Sequence, residues 1–192
     1  PEPIGFRATG PAGGTLAVEA DGEGWTVRCG RRDFTFSYRL VLTIEDRYTA
    51  DVRTMLTSLD EDRCRLHGGD LLLVPLMETA PGVIVDVDLF PGAPVSAPWD
   101  VVGRRILAPG VGEAVGMVVA AGAYRFFENE SAGTTVGLAI AGDWKFEDGE
   151  FFDLVGHIVR REISWFGDSP VDRYLFVCDR NPARGGKCFD HY

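Results

Sequence analysis

The sequence predicts a mainly β protein. An antiparallel β-sandwich covers residues 1–142, and over 143–192 a helix and a strand open a second, α/β lobe. Three observations carry this reading. Through the first two-thirds of the chain, short segments alternate apolar and polar residues and are separated by Gly-containing turns, the pattern of half-buried strands. A helical apolar period appears late, over about 150–166. Directly after it, Tyr174-Leu175-Phe176-Val177-Cys178 is an almost unbroken apolar run, as in a strand covered on both faces.

In chain order, segments 15–19, 25–28 and 34–44 alternate in this way, and Asp21-Gly22-Glu23-Gly24 supplies a turn between the first two. Segments 71–75 and 83–89 continue the series. In the latter, a period of two puts Asp86 and Asp88 on one face and Val85, Val87 and Leu89 on the other. Segments 122–128 and 135–141 read as a late pair joined by the turn Asn129-Glu130-Ser131-Ala132-Gly133. The first three of these residues are formally a glycosylation sequon, which a turn explains sufficiently. Many short strands at this spacing suggest a β-sandwich. Two segments depart from the pattern: 46–59 has helix propensity weakened by Thr and Tyr, and 112–121 fits a short helix or a strand. The helix over about 150–166 places Phe151, Val155, Ile158, Val159, Ile163 and Phe166 on one face, with Asp153, His157, Arg160 and Arg161 outside it. Asp148 is placed to cap its start, Gly167 to stop it, and Pro170 follows. A strand over about 173–178 comes next, then the turn Asn181-Pro182-Ala183-Arg184-Gly185-Gly186.

With 45% hydrophobic and 25% charged residues, the chain has the composition of a soluble globular protein. No apolar run approaches the roughly 20 residues of a membrane-spanning helix. No signal peptide is visible, and the chain opens at Pro1 without Met, as a processed or trimmed chain would. The expected setting is soluble, in a bacterial cytoplasm or periplasm. A formal charge of −10 argues against nucleic acid and against anionic membrane surfaces, whose phosphates need a basic face. Cys29, Cys64, Cys178 and Cys188 contain no C-x-x-C pair, which argues against a zinc ribbon. Cys178 and Cys188 flank a Pro/Gly turn; they either pair across it in an oxidising compartment or are buried thiols in a cytosolic protein.

Catalytic signatures are sparse. His67, His157 and His191 are the three histidines, and none belongs to an H-E-x-x-H zinc helix. The sequence has no G-x-S-x-G elbow, Walker A loop or Rossmann fingerprint. Gly13-Gly14 and Gly68-Gly69 lack the following helix and Lys that phosphate binding needs. His67 reads as a turn residue and His157 as a solvated residue on the polar face of the helix. Asp46, Asp51, Asp60, Glu61 and Asp62 form an acidic cluster without the frame of a calcium loop, so a solvated loop is the simpler reading. Trp25, Trp99, Trp144 and Trp165 read as core or interdomain anchors.

One stretch carries a resemblance. Phe152-Asp153-Leu154 opening a helix, followed by Ile163-Ser164-Trp165-Phe166-Gly167-Asp168-Ser169-Pro170-Val171-Asp172-Arg173-Tyr174-Leu175-Phe176, resembles a segment of the glycyl aminopeptidase family of zinc metallopeptidases. In that family a helix ends in an F-F-G-x-x-P-x-x-R/K-Y turn and enters a core strand. A Gly-rich loop and a G-L-E-H-like motif follow. Here the loop is Gly185-Gly186-Lys187-Cys188-Phe189-Asp190-His191, with Asp in place of Glu and Cys188 where Gly is expected. Upstream, Ser58-Leu59-Asp60-Glu61 through His67-Gly68-Gly69-Asp70-Leu71-Leu72-Leu73 is similar to the family's S-Y-L-D-D … N-G-x-S-L-F-L stretch. Gly122-Ala123-Tyr124 and Leu138-Ala139-Ile140-Ala141-Gly142 are similar to its later strands.

The resemblance implies a β-sandwich that packs against a thermolysin-like catalytic domain and shapes its substrate cleft, usually with a PDZ domain after it. It makes the 143–192 segment the start of that catalytic lobe. It implies no catalytic residue and no metal ligand in this chain, and substrate contacts at Gly186, Asp190 and His191. There the Asp190 carboxylate would face the amine of a peptide's N-terminus, with a reach one methylene shorter than Glu. Zinc and its general base would lie beyond Tyr192, so the chain alone is expected to hold no cofactor and to be inactive. The parent reaction would be zinc-assisted peptide hydrolysis. The implied partners are the missing catalytic domain of the same parent chain and a peptide substrate. Two alternatives stand beside this reading: a non-catalytic β-sandwich binding module, and a degenerate family member that has lost its zinc ligands. If the chain is such a fragment, the helix face bearing Trp165 and Phe166 should be exposed, or covered by self-association with another copy.

Overall fold

Alternating segments become strands where one face can be covered; the computed structural model describes residues 2–22, 24–29, 33–41, 57–73 and 82–179. The chain is mainly β, with several antiparallel sheets, in keeping with a β-sandwich-like N-terminal region followed by a helix and a strand. It divides into two compact units, Pro1–Glu45 and Asp46–Tyr192.

In the first unit, β1 (Glu2–Thr9), β2 (Thr15–Leu16) and β5 (Thr35–Val41) form one sheet in the order β2-β1-β5, while β3 (Val18–Asp21) and β4 (Gly24–Val27) form a hairpin. The segment expected over 15–19 is thus two strands, and residues 42–44 of the one expected over 34–44 lie outside the described residues. Sequence alternation missed β1, because Gly5 has φ +68° and the register against β5 shifts between Ile4 and Arg7, which breaks the period of two. Phe36 and Tyr38, alternate residues of β5, meet the Phe6 ring at 5.6 and 6.4 Å, and Trp25 lies 4.0 Å from it. Trp25 is thus half-buried within an aromatic group with Phe6.

The second unit opens with β6 (Ser58–Leu59), β7 (Arg63–His67) and a single helical turn, α1 (Gly68–Leu71). The helix expected over 46–59 lies outside the described residues except at its end, which is strand. The strand expected from Leu71 is corrected: Leu71 closes a helical turn. Gly68 explains the turn, since a Cβ there would stand 2.0 Å from the Ala114 carbonyl oxygen. This backbone contact accounts for Gly68, while at Gly69 a Cβ would stand 3.1 Å from the His67 ring. Next come β8 (Val83–Asp86), β9 (Val95–Ser96), β10 (Asp100–Val102), β11 (Arg105–Ala108), α2 (Val111–Gly116), β12 (Val118–Gly122), β13 (Arg125–Ser131) and β14 (Thr134–Ile140). The ambiguous stretch 112–121 is helix first and strand second. All five residues of β12 are buried, which erases the period that would have identified a strand. Over 83–89 the expected alternation holds, with Val85 and Val87 turned inward and Asp86 and Asp88 exposed.

Three sheets result, ordered β6-β7-β12-β9, β10-β11-β8 and, with β15 (Arg173–Cys178), β13-β14-β15. Cys64, Val87, Ala97, Ile106, Met117, Val119 and Ala121 form one buried cluster. Burial pushes the Cys64 thiol up to about 11, which keeps it protonated and unreactive. The β13–β14 turn is only Ala132-Gly133, both at positive φ; Asn129-Glu130-Ser131 belongs to the strand, and buried Ser131 donates to the Gly156 carbonyl. The sequon is therefore not in a turn.

The late helix, α3, spans Asp148–Phe166. Phe152, Val155 and Val159 pack on Val136, Leu138 and Ile140 of β14, each burial contributing roughly 1.5–3 kcal/mol. The buried stripe is thus rotated from the one expected: Phe152 and Gly156 join it, while Ile158 and Phe166 are exposed. Asp148 is the first helical residue and pairs with Arg125 instead of capping. Gly167 ends the helix as expected, at φ +87° with its N–H on the Ile163 carbonyl. β15 runs parallel to β14. Its residues are half-buried rather than fully buried, because among the described residues it pairs with a strand on one side only.

Candidate functional site

The three residues expected to contact substrate, Gly186, Asp190 and His191, lie outside the described residues, as does Cys188. Cys29, Cys64 and Cys178 are free thiols. What the structure does define is the frame leading to that loop: the turn that starts β15 and the network that anchors its end.

At the start, Gly167 reverses the chain, the Asp168 carboxylate accepts the Ser169 N–H at 2.8 Å, and the Ser169 hydroxyl donates to the Val171 carbonyl at 2.6 Å. Arg173 then enters the strand. Its Nε donates to the Ala97 carbonyl at 3.0 Å and its guanidinium pairs with Glu128. The cation at this position of the F-F-G-x-x-P-x-x-R/K-Y pattern thus anchors the strand. Between helix and turn lies a groove of about 470 Å³, lined by Ile163, Phe166, Pro170 and Tyr174 with Glu162 and Asp168 at its polar side.

At the far end, Asp179 is largely buried, 3.7 Å from Arg63 Nε, and accepts a hydrogen bond from the Tyr124 hydroxyl at 3.1 Å. Burial, reinforced by the Asp179 carboxylate, pushes the Tyr124 phenol far up, so it stays a donor at all working pH values. Arg63 also pairs with Asp60 and Asp62, so the acidic cluster serves, in its described part, as a partner to Arg63. This tie fixes the point from which the chain runs on toward Gly186, Asp190 and His191. Sequence reading missed it, because 55 residues separate Tyr124 from Asp179.

His67 ends β7 rather than lying in a turn, and its Nδ1 is 3.8 Å from Asp70. Asp70 in turn accepts the Thr57 N–H at 2.7 Å, and the Thr57 hydroxyl accepts the His67 N–H at 3.0 Å. This knot closes β7 onto α1. Around the α3 start, Arg125, Asp143, Trp144, Phe146 and Asp148 line a shallow cleft of about 350 Å³. Trp99 packs on the first core cluster, whereas Trp144 is partly exposed and Trp165 is 75% exposed, so of the two readings, core or interdomain anchor, only the core one is corrected for Trp165.

Among the described residues, no three His, Cys, Asp or Glu side chains converge to hold a metal ion, and His157 is solvated on α3. The described residues do not fit a zinc site.

The chain superposes with a TM-score of 0.73 on a crystal structure of an aminopeptidase N family protein from Idiomarina loihiensis. It shares the fold of part of that protein. Identity is 17%, and the match covers 90% of this chain and 30% of that one. No protein-family model matches the chain, and no curated protein matches it. No helix among the described residues is long and apolar enough to cross a membrane.

Proposed function

We propose that this chain is the non-catalytic, β-rich part of an aminopeptidase-like zinc peptidase. It forms one wall of a peptide cleft, and zinc and the general base are supplied by residues outside these 192. The observation that carries this is the shared fold with an aminopeptidase N family protein, over nearly all of this chain and under a third of that one. The order of elements supports it: α3, the Gly167 stop, Pro170, then Arg173-Tyr174 entering β15, in the sequence the family pattern gives. On this reading the Tyr124–Asp179–Arg63 tie holds β15 so that the following loop presents Asp190 to the positive N-terminal amine of a peptide, with Gly186 and His191 beside it. A carboxylate is the natural counter-charge there.

The gene supplies the test. An H-E-x-x-H motif should be encoded after Tyr192, within about 50 residues. The longer product should hydrolyse aminoacyl p-nitroanilides in a zinc-dependent way, and the 192-residue chain should not. A stop codon directly after Tyr192, or a longer product without zinc-dependent activity, overturns the proposal. The first outcome favours a binding module and the second a degenerate relative.

A further inference from the structure

α3 carries a second apolar stripe. Leu154, Ile158 and Trp165 are 53%, 47% and 75% exposed, and at 3.6 residues per turn they stand roughly 110° around the helix from the stripe packed on β14. Flanking them are exposed Glu150, near the helix start, and exposed Arg161, in its later half. Neither forms an ion pair among the described residues. On the opposite flank, near the helix start, Phe151 lies 4.7 Å from Phe146, which stacks on Trp144 at 5.4 Å; Phe146 and Trp144 are each 39% exposed.

We propose that this stripe is covered by the same stripe of a second copy, with the two α3 helices antiparallel about a two-fold axis near Ile158. An isologous contact must complement itself. With Ile158 on Ile158, Trp165 of each copy lands over Phe151 of the other, extending an aromatic row already present in each monomer. Glu150 of one copy falls on the same flank and the same half of the seam as Arg161 of the other. A parallel arrangement would instead place both copies' Glu150 at one end of the seam and both Arg161 at the other, on opposite flanks, so that no opposite charges meet. The antiparallel arrangement also opposes the helix dipoles favourably. A charge of −10 on each copy opposes association, and the seam is small, so the dimer is of the weak class, with a Kd on the order of 10 μM. The inference stands independently of the aminopeptidase-like reading.

Sedimentation equilibrium of the 192-residue chain across the micromolar range tests it. A monomer–dimer equilibrium is expected, weakened at least tenfold by Ile158→Glu with an unchanged circular dichroism spectrum. Glu150→Arg and Arg161→Glu should each weaken self-association several-fold, and an equimolar mixture of these two variants should restore it as a heterodimer. That rescue separates antiparallel pairing from nonspecific stickiness. A monomer at every concentration leaves the stripe to another part of the polypeptide and overturns the proposal. So does a dimer that survives Ile158→Glu, or one indifferent to both charge variants.

Discussion

Replacing Gly122 by Ala should destabilise the second unit by about 3 kcal/mol or more, seen as a lower midpoint in urea unfolding. Gly122 has φ +99°, and a Cβ there would stand 2.3 Å from the Asp62 carbonyl oxygen and 2.6 Å from the Arg63 Cα. Those atoms are backbone and cannot rotate away. Gly122 pairs in register with Arg63, and the next residue, Ala123, donates to the Asp62 carbonyl at 2.9 Å, so relief requires pulling β7 off β12. Gly133→Ala is the control. Gly133 also has positive φ, +81°, but nothing lies within 4 Å of a Cβ there, so only the conformational cost of about 1 kcal/mol applies. Equal losses at the two sites would show that the close approach at Gly122 is not the cause.

Arg104→Ala should cost about 2–4 kcal/mol and loosen the loop between β8 and β9. The Arg104 guanidinium donates to the carbonyls of Val87 at 2.7 Å, Phe90 at 3.1 Å and Ala93 at 2.7 Å, and also to that of Leu89. The loop contains Phe90 at φ +50° and Gly92 at φ +80°. One planar fork thus satisfies four carbonyls that belong to no strand, and a Lys offers a single point charge in its place. Arg104→Lys should recover less than half of the loss. Amide hydrogen exchange over residues 87–94 gives the local readout; faster exchange confined to that loop is expected in both variants. Unchanged exchange in Arg104→Ala would show that the loop holds its shape without the guanidinium.

These two sites also mark what the sequence could reveal. The alternation at Val85 and Val87 against Asp86 and Asp88 and the Gly167 helix stop are local patterns that appear in the structure as their residues suggest, and the apolar run of β15 gave the strand but not its half-buried state. β12 gave no period because both of its faces are covered, and β1 gave none because Gly5 and a register shift break its alternation. The face of α3 was misjudged by part of a turn, because two apolar stripes share one helix and composition does not say which meets the sheet. Its expected exposure at Trp165 and Phe166 is observed, at 75% and 83%. Arg104, Gly122 and the Tyr124–Asp179–Arg63 tie were invisible, since each depends on residues brought together across the chain. The proposed substrate contacts at Gly186, Asp190 and His191 were drawn from a resemblance, and their test lies in chemistry.

Zinc stoichiometry of the metal-free 192-residue chain, measured by isothermal titration calorimetry, tests the central claim most directly. A chain that forms only the non-catalytic wall of a peptidase should show no tight site at one zinc per chain. Its weak residual heats should be unaffected by His67→Ala, because that histidine sits among the groups that close β7 onto α1, with its Nδ1 3.8 Å from Asp70. Tight one-to-one binding, abolished by substituting His67, His157 or His191, would mean that the chain builds its own metal centre, and would contradict the account.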